Sequence, residues 1–169
     1  MDDSVLWLFE SNKNSVKNLK KEAIKSGVSE ARLIFASHMP VEDHLNRIKL
    51  ADLFIDTLPY NAHTTTSDAL RMGLPVLTCL GESFASRVAA SILTSINLPE
   101  LITNSPEEYE ALAIELATNP EKLKAIKEKL ASNLTSAPLY NTKLFTKNLE
   151  SAYTTMYQRH QKGLEPDHI

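Results

Sequence analysis

Short apolar runs alternate along the chain with polar stretches whose apolar residues fall at helical spacing. Val5–Phe9, Leu33–Ala36, Leu53–Leu58 and Val76–Leu80 are the strand-like runs, and the first is expected to be a buried strand. Between the first two, Val16, Leu19, Ala23 and Ile24 predict a helix over about Ser15–Ser26, with Gly27 as its stop. After His38-Met39-Pro40, Leu45, Ile48 and Leu50 are expected to face inward on a helix near Val41–Leu50. A short helix from about Thr65 to Met72 ends at Gly73, with Pro75 just beyond. Gly81 leads into a helix over Glu82–Thr94, and Leu101-Ile102 reads as a last, very short strand.

The remainder, about 105–162, is helical. Ser105, Pro106 and Glu108 form a capping-box signature, and Tyr109, Leu112, Ala113 and Leu116 make the inner face behind it. Asn119-Pro120 opens another helix with Leu123, Ile126 and Leu130 inward. The last helix runs from about Asn141 to Lys162, with Phe145, Leu149, Tyr153 and Met156 as an expected core-packing stripe. Strands alternating with helices predict an α/β, Rossmann-like parallel sheet with helices on both faces. The 169 residues read as one domain. Ligands of such sheets bind beyond the carboxyl ends of the strands, where the loops after Ala36, Leu58 and Leu80 lie.

One of those loops carries the clearest chemistry. Asn61-Ala62-His63-Thr64-Thr65-Thr66-Ser67-Asp68 connects a strand to a helix start. Free N–H groups, the positive end of the helix dipole and several hydroxyls favour an anion there, and a phosphate fits that chemistry. His63 is a donor for a phosphate oxygen, and Asp68 is an acceptor for sugar hydroxyls. The same residues also suit an ordinary polar loop with a threonine cap. The chain has no G-x-G-x-x-G and no Walker lysine loop, so ordinary dinucleotide binding is not expected. His44 offers an aromatic face for a nucleobase, and Arg47, one turn later, suits a phosphate or the support of its own loop.

Composition narrows the classes. The net charge is -3, which leaves no footprint for nucleic acid, and the Lys/Arg clusters at 17–25 and 122–129 read as solvated helix faces. Cys79 is the single cysteine and is expected to be buried and inert; no disulfide within the chain and no Cys-rich zinc site follow from it. His38, Asp43 and His44 lack the spacing of a metal site, so no metal and no cofactor are expected. No run reads as a signal peptide or membrane span, and a cytoplasmic setting without membrane contact is expected. No G-x-S-x-G elbow supports a hydrolase reading of Ser83 or Ser86.

The motif string resembles the C-terminal part of the O-linked N-acetylglucosamine transferase and SPINDLY-like family of glycosyltransferases. It is carried by Ser4-Val5-Leu6-Trp7-Leu8, Arg32-Leu33-Ile34-Phe35, Glu42-Asp43-His44, Leu50-Ala51-Asp52 and Asp56-Thr57. His63-Thr64-Thr65 with Asp68, Gly81-Glu82, Ala85-Ser86-Arg87-Val88-Ala89-Ala90, Pro138-Leu139-Tyr140-Asn141-Thr142 and Pro166-Asp167-His168 continue it. The resemblance implies the C-terminal half of a GT-B glycosyltransferase, lacking its first strand, often associated with tetratricopeptide repeats. It implies a UDP-sugar donor, UDP-N-acetylglucosamine, and transfer with inversion to Ser or Thr of a protein acceptor. His44 then packs on the nucleobase, Arg47 lies near the site, His63, Thr64 and Thr65 bind the diphosphate, and Asp68 holds the ribose. Catalytic residues are expected outside this chain, and the fragment alone is expected to be inactive. Val41, Tyr60, Ala62 and Thr66-Ser67 depart from the family pattern. Rival readings are a transferase using GDP-fucose or UDP-glucose, and a non-catalytic interaction domain that forms a homo-oligomer through its incomplete sheet.

Overall fold

The computed structural model describes residues 4–169 and is α/β, with every strand pair parallel. The chain divides into two compact units, 1–47 and 48–169. In the first, β1 (Leu6–Phe9) pairs with β2 (Leu33–Ala36), Leu6 opposite Leu33 and Phe9 opposite Ala36. The connecting helix α1 (Lys13–Lys25) is capped by Asn12, whose Oδ1 accepts from the Ser15 N–H at 2.9 Å. Gly27, at φ 74°, takes the left-handed conformation just past its end. Helix α2 (Val41–Ile48) follows; it ends before Leu50, which is exposed and not inward as expected. None of the described residues of this unit is fully buried. The expectation of a buried first strand is therefore corrected: Val5, Leu6, Trp7 and Phe9 are all exposed, as are Leu19 and Ile24 on α1.

The second unit holds the core. Strand β4 (Val76–Cys79) lies between β3 (Phe54–Ile55) and β5 (Ile102–Thr103), with Phe54 opposite Val76 and Cys79 opposite Thr103. All four β4 residues are buried, Cys79 included. Helices α3 (Thr64–Arg71), α4 (Val88–Ser95) and α5 (Pro106–Thr118) all pack on β4. Helix α6 (Pro120–Ser136) packs on α5 and closes the core with Ile126 and Leu130. Ala69, Leu70, Leu93, Ile96, Leu98, Leu101 and Leu116 complete it. Helix α7 (Thr142–Gln161) ends the chain's regular structure.

Three expectations need correction here. The run Leu53–Leu58 yields only the two residues of β3, because Asp56 turns its carboxylate into the following loop and takes up backbone N–H groups there. The helix expected from Glu82 starts at Val88. Before it, Ser83 caps a separate 3-10 turn, Phe84–Ser86, and the Gly81 N–H donates to the Ser86 carbonyl at 2.9 Å. A side chain at position 81 would collide with Ser86, so the turn requires glycine. The stripe on α7 is not core: Phe145 is 65% exposed and Tyr153 60%, with Leu149 and Met156 exposed as well.

Candidate functional site at the start of helix α3

Helix α3 is fixed from behind and open in front. Ala69 and Leu70 are fully buried, and Gly73 at φ 82° ends the helix with its N–H on the Leu70 carbonyl. The Tyr140 hydroxyl donates to the Ser67 carbonyl at 2.7 Å, and the Arg71 guanidinium lies 5.8 Å over the Tyr140 ring. Burial pushes the Tyr140 phenol up, so it stays a protonated donor. The helix is thereby held at its middle and its end, and its first turn is left for other work.

At that first turn His63 is the N-cap residue, and its side chain makes no capping bond. The N–H groups of Thr64, Thr65 and Thr66 have no hydrogen-bond partner among the described residues. The first intrahelical N–H is that of Ser67, on the His63 carbonyl at 3.3 Å. Three free N–H groups at a helix start favour negative charge. The Thr64 and Thr65 side chains are exposed, whereas Thr66 is buried and donates to the Ala62 carbonyl at 2.9 Å. Asp68 lies one turn along from Thr64 and so shares its face of the helix; its carboxylate makes no hydrogen bond or ion pair among the described residues.

The first turn opens on a depression of about 500 Å³ lined by Phe54, Asp56, Thr57, Tyr60 and the residues from Asn61 to Thr65. The Tyr60 ring stacks on His63 with centroids 5.1 Å apart, and Phe84 meets His63 edge-on at 6.0 Å. His63 Nε2 is 3.3 Å from the Ala85 carbonyl; a carbonyl only accepts, so Nε2 carries the hydrogen in that contact.

The loop behind this turn is built on Asp56, which is 3% exposed. Its Oδ1 accepts from the N–H groups of Thr57 and Ala62, at 2.8 and 2.7 Å, and its Oδ2 from the Thr78 hydroxyl at 2.7 Å. The Asp56 carbonyl accepts from the Tyr109 hydroxyl of α5 at 2.6 Å. Burial, with the Asp56 carboxylate and then Cys79 adding to it, pushes the Tyr109 phenol up. The unfolded phenol ionises near pH ~10. Tyr109 therefore contributes stability that is intact below that pH and is lost as pH rises above it, because the unfolded chain releases the proton first. Tyr109→Phe is expected to cost about 1 kcal/mol near neutrality and to flatten the alkaline loss of stability. Urea unfolding at neutral and alkaline pH measures both.

Within the first unit, His44 and Arg47 are half-buried on α2. Arg47 Nη2 donates to His44 Nδ1 at 2.9 Å, which leaves the His44 hydrogen on Nε2. Arg47 Nη1 donates to the Ser37 carbonyl at 3.0 Å, and its guanidinium lies 5.6 Å over the Trp7 ring. Arg47 thus holds the loop that leads into α2. The six sequence-predicted residues fall as a pair on α2 and a set of four on and before α3. Asp56, Asn61 and Tyr109 were not singled out as site residues. The sequence marks Asp56 only as an acidic residue inside an apolar run and as part of the Asp56-Thr57 motif, with no role attached. Asn61 is fully buried, donates from Nδ2 to the Thr57 carbonyl at 2.9 Å, and leaves Oδ1 without a hydrogen-bond partner among the described residues.

The model of glycosyl transferase family 41 matches residues 1–149. The chain belongs to glycosyl transferase family 41. It is 33% identical over 98% of its length to the UDP-N-acetylglucosamine--peptide N-acetylglucosaminyltransferase of Caenorhabditis elegans, of which it spans 14%. It is 36% identical over 99% of its length to an Arabidopsis thaliana protein titled Probable UDP-N-acetylglucosamine--peptide N-acetylglucosaminyltransferase SEC, of which it spans 17%. Among solved structures, the K341M mutant of the Thermobaculum terrenum O-GlcNAc transferase superposes with a TM-score of 0.84 at 33% identity. That match covers 90% of this chain and 30% of the other. The family 41 chain therefore corresponds to a small part of these relatives and carries part of a GT-B glycosyltransferase fold.

Proposed function

We propose that this family 41 chain is the donor-binding part of an inverting O-glycosyltransferase that uses UDP-N-acetylglucosamine and acts on Ser or Thr of proteins. One observation carries the reading: the uncapped start of α3, with three free N–H groups and two exposed threonine hydroxyls, opens on a depression large enough for a diphosphate. The N–H groups, Thr64, Thr65 and His63 hold the diphosphate, and Asp68 accepts from the ribose hydroxyls. Within the first unit, His44 offers an aromatic face for a nucleobase, with Arg47 orienting it through the Nδ1 bond. As the sugar leaves for the acceptor, negative charge grows on the diphosphate, and donors already aimed at it stabilise that charge without reorganisation. None of these contacts calls on a metal. The proposal includes a cytoplasmic setting, supported by the single, buried Cys79, since chains adapted to oxidising compartments commonly carry paired cysteines.

Transfer is the test. The chain alone is expected to bind UDP and to leave UDP-N-acetylglucosamine intact in the presence of an acceptor peptide. The full-length parent is expected to prefer that donor over UDP-glucose and GDP-fucose. A parent that turns over GDP-fucose in preference would overturn the donor assignment. A second reading, a docking module, is favoured by the exposed apolar stripe on α7. Light scattering separates it, since a strict monomer at high concentration argues against self-association through that stripe.

A further inference from the structure

We propose that Asp56 is the positioning residue of the anion-binding turn, a role that rests on the donor-site reading above. A single oxygen, Oδ1, holds both the Thr57 and the Ala62 N–H, and so closes the loop between them onto the end of β3. Ala62 immediately precedes His63, so the direction in which the chain enters α3 is set at Ala62. The other oxygen fastens the loop to the buried centre of β4 through Thr78. Thr78 is itself held, its carbonyl accepting from the Thr103 hydroxyl of β5 at 3.0 Å. The Asp56 main chain adds two bonds, its N–H to the Leu77 carbonyl at 3.0 Å and its carbonyl to Tyr109. One residue thus joins β3, β4, α5 and the loop that aims the free N–H groups.

The charge argues for positioning and against contact with the ligand. Asp56 lines the same depression as Thr64 and Thr65, and a carboxylate there repels a phosphate. Both oxygens already have donors, and the donor set is two amides and a hydroxyl. An amide side chain can serve the same set. Its Oδ1 keeps both N–H bonds, and its Nδ2 donates to a Thr78 hydroxyl turned to accept. Asp56→Asn therefore keeps the geometry and removes the repulsion, whereas Asp56→Ala removes the geometry. A residue that touched the anion, or that served global stability alone, would not separate the two variants in this way.

Amide hydrogen exchange and UDP titration of the full 169-residue chain test the assignment. The readout amides are Asn61 and Ser67, whose bonds go to the Ala85 and His63 carbonyls rather than to Asp56. In Asp56→Ala these two are expected to exchange about tenfold faster, with Leu93 and Leu130 unchanged, since local and global opening are separable. The Kd for UDP is expected to rise about tenfold in Asp56→Ala and to stay within about threefold of wild type, or fall, in Asp56→Asn. Should Asp56→Ala not fold, Thr78→Val, which removes only the Oδ2 bond, is expected to speed the same two amides severalfold. Unchanged loop exchange and UDP affinity in the variant that folds would overturn the proposal. So would exchange that accelerates equally through the core. If the wild-type chain binds no UDP, the donor-site reading falls, and the loop exchange rates alone decide the role of Asp56.

Discussion

Replacing Thr64 and Thr65 together with valine is expected to weaken UDP binding by about 100-fold, because each hydroxyl donates a hydrogen bond to a charged oxygen and two such bonds are worth about 3 kcal/mol together. Both side chains are exposed at the first turn of α3 and make no bond within the described residues, so their loss costs the fold little. Valine keeps the volume and the branched shape of threonine and removes only the hydroxyl. The helix propensities of valine and threonine are about equal, so the exchange does not disturb the helix start. Calorimetric titration of wild type and variant reads the affinity, and urea unfolding of both confirms that stability is held. Equal affinity in the two proteins would mean that the hydroxyls do not touch the diphosphate.

Leu70→Ala is expected to destabilise the second unit by about 3 kcal/mol, the cost of a buried cavity in a site that relaxes only in part. Leu70 is fully buried in the cluster that joins α3 to β4, α4, α5 and α6. Its backbone carbonyl also accepts from Gly73, so the side chain sits at the point where the helix stops and the chain turns towards β4. Because the same helix carries the anion site on its first turn, loosening its packed face is expected to weaken UDP binding too. Urea unfolding measures the stability, and a midpoint within about 0.5 kcal/mol of wild type would show that Leu70 does not anchor α3.

The elements that the sequence states most clearly are those whose signal is local. The unbroken run at Val76–Cys79 is the buried central strand. Gly73 with Pro75 stops α3 within a residue of the expected place, and Ser105 with Glu108 caps α5 as the spacing predicts, the Glu108 N–H lying 3.2 Å from Ser105 Oγ. What periodicity cannot state is whether an apolar face has anything against it. The stripes at Val5–Phe9 and on α7 have the period of buried elements, yet most of their large residues face solvent.

The anion turn was legible for the same local reason, since a strand, a polar loop and a threonine-rich helix start follow one another in the chain. Its supports were not. Asp56 meets Thr78 across 22 residues and Tyr109 across 53; the parallel register of β3 on β4 brings the first to it, and the packing of α5 on β4 brings the second. The helix expected from Glu82 starts later because Ser83 has the capping chemistry of a longer helix but spends it on a single 3-10 turn.

Titrating the labelled chain with UDP and following its backbone amide shifts asks whether α3 holds a diphosphate. Shifts are expected at Thr64, Thr65, Thr66 and Asp68, with further shifts at His44 and Gly81, and none on the exposed face of α7. A folded chain that shows no shifts at millimolar UDP, or shows them only on α7, would contradict the donor-site reading.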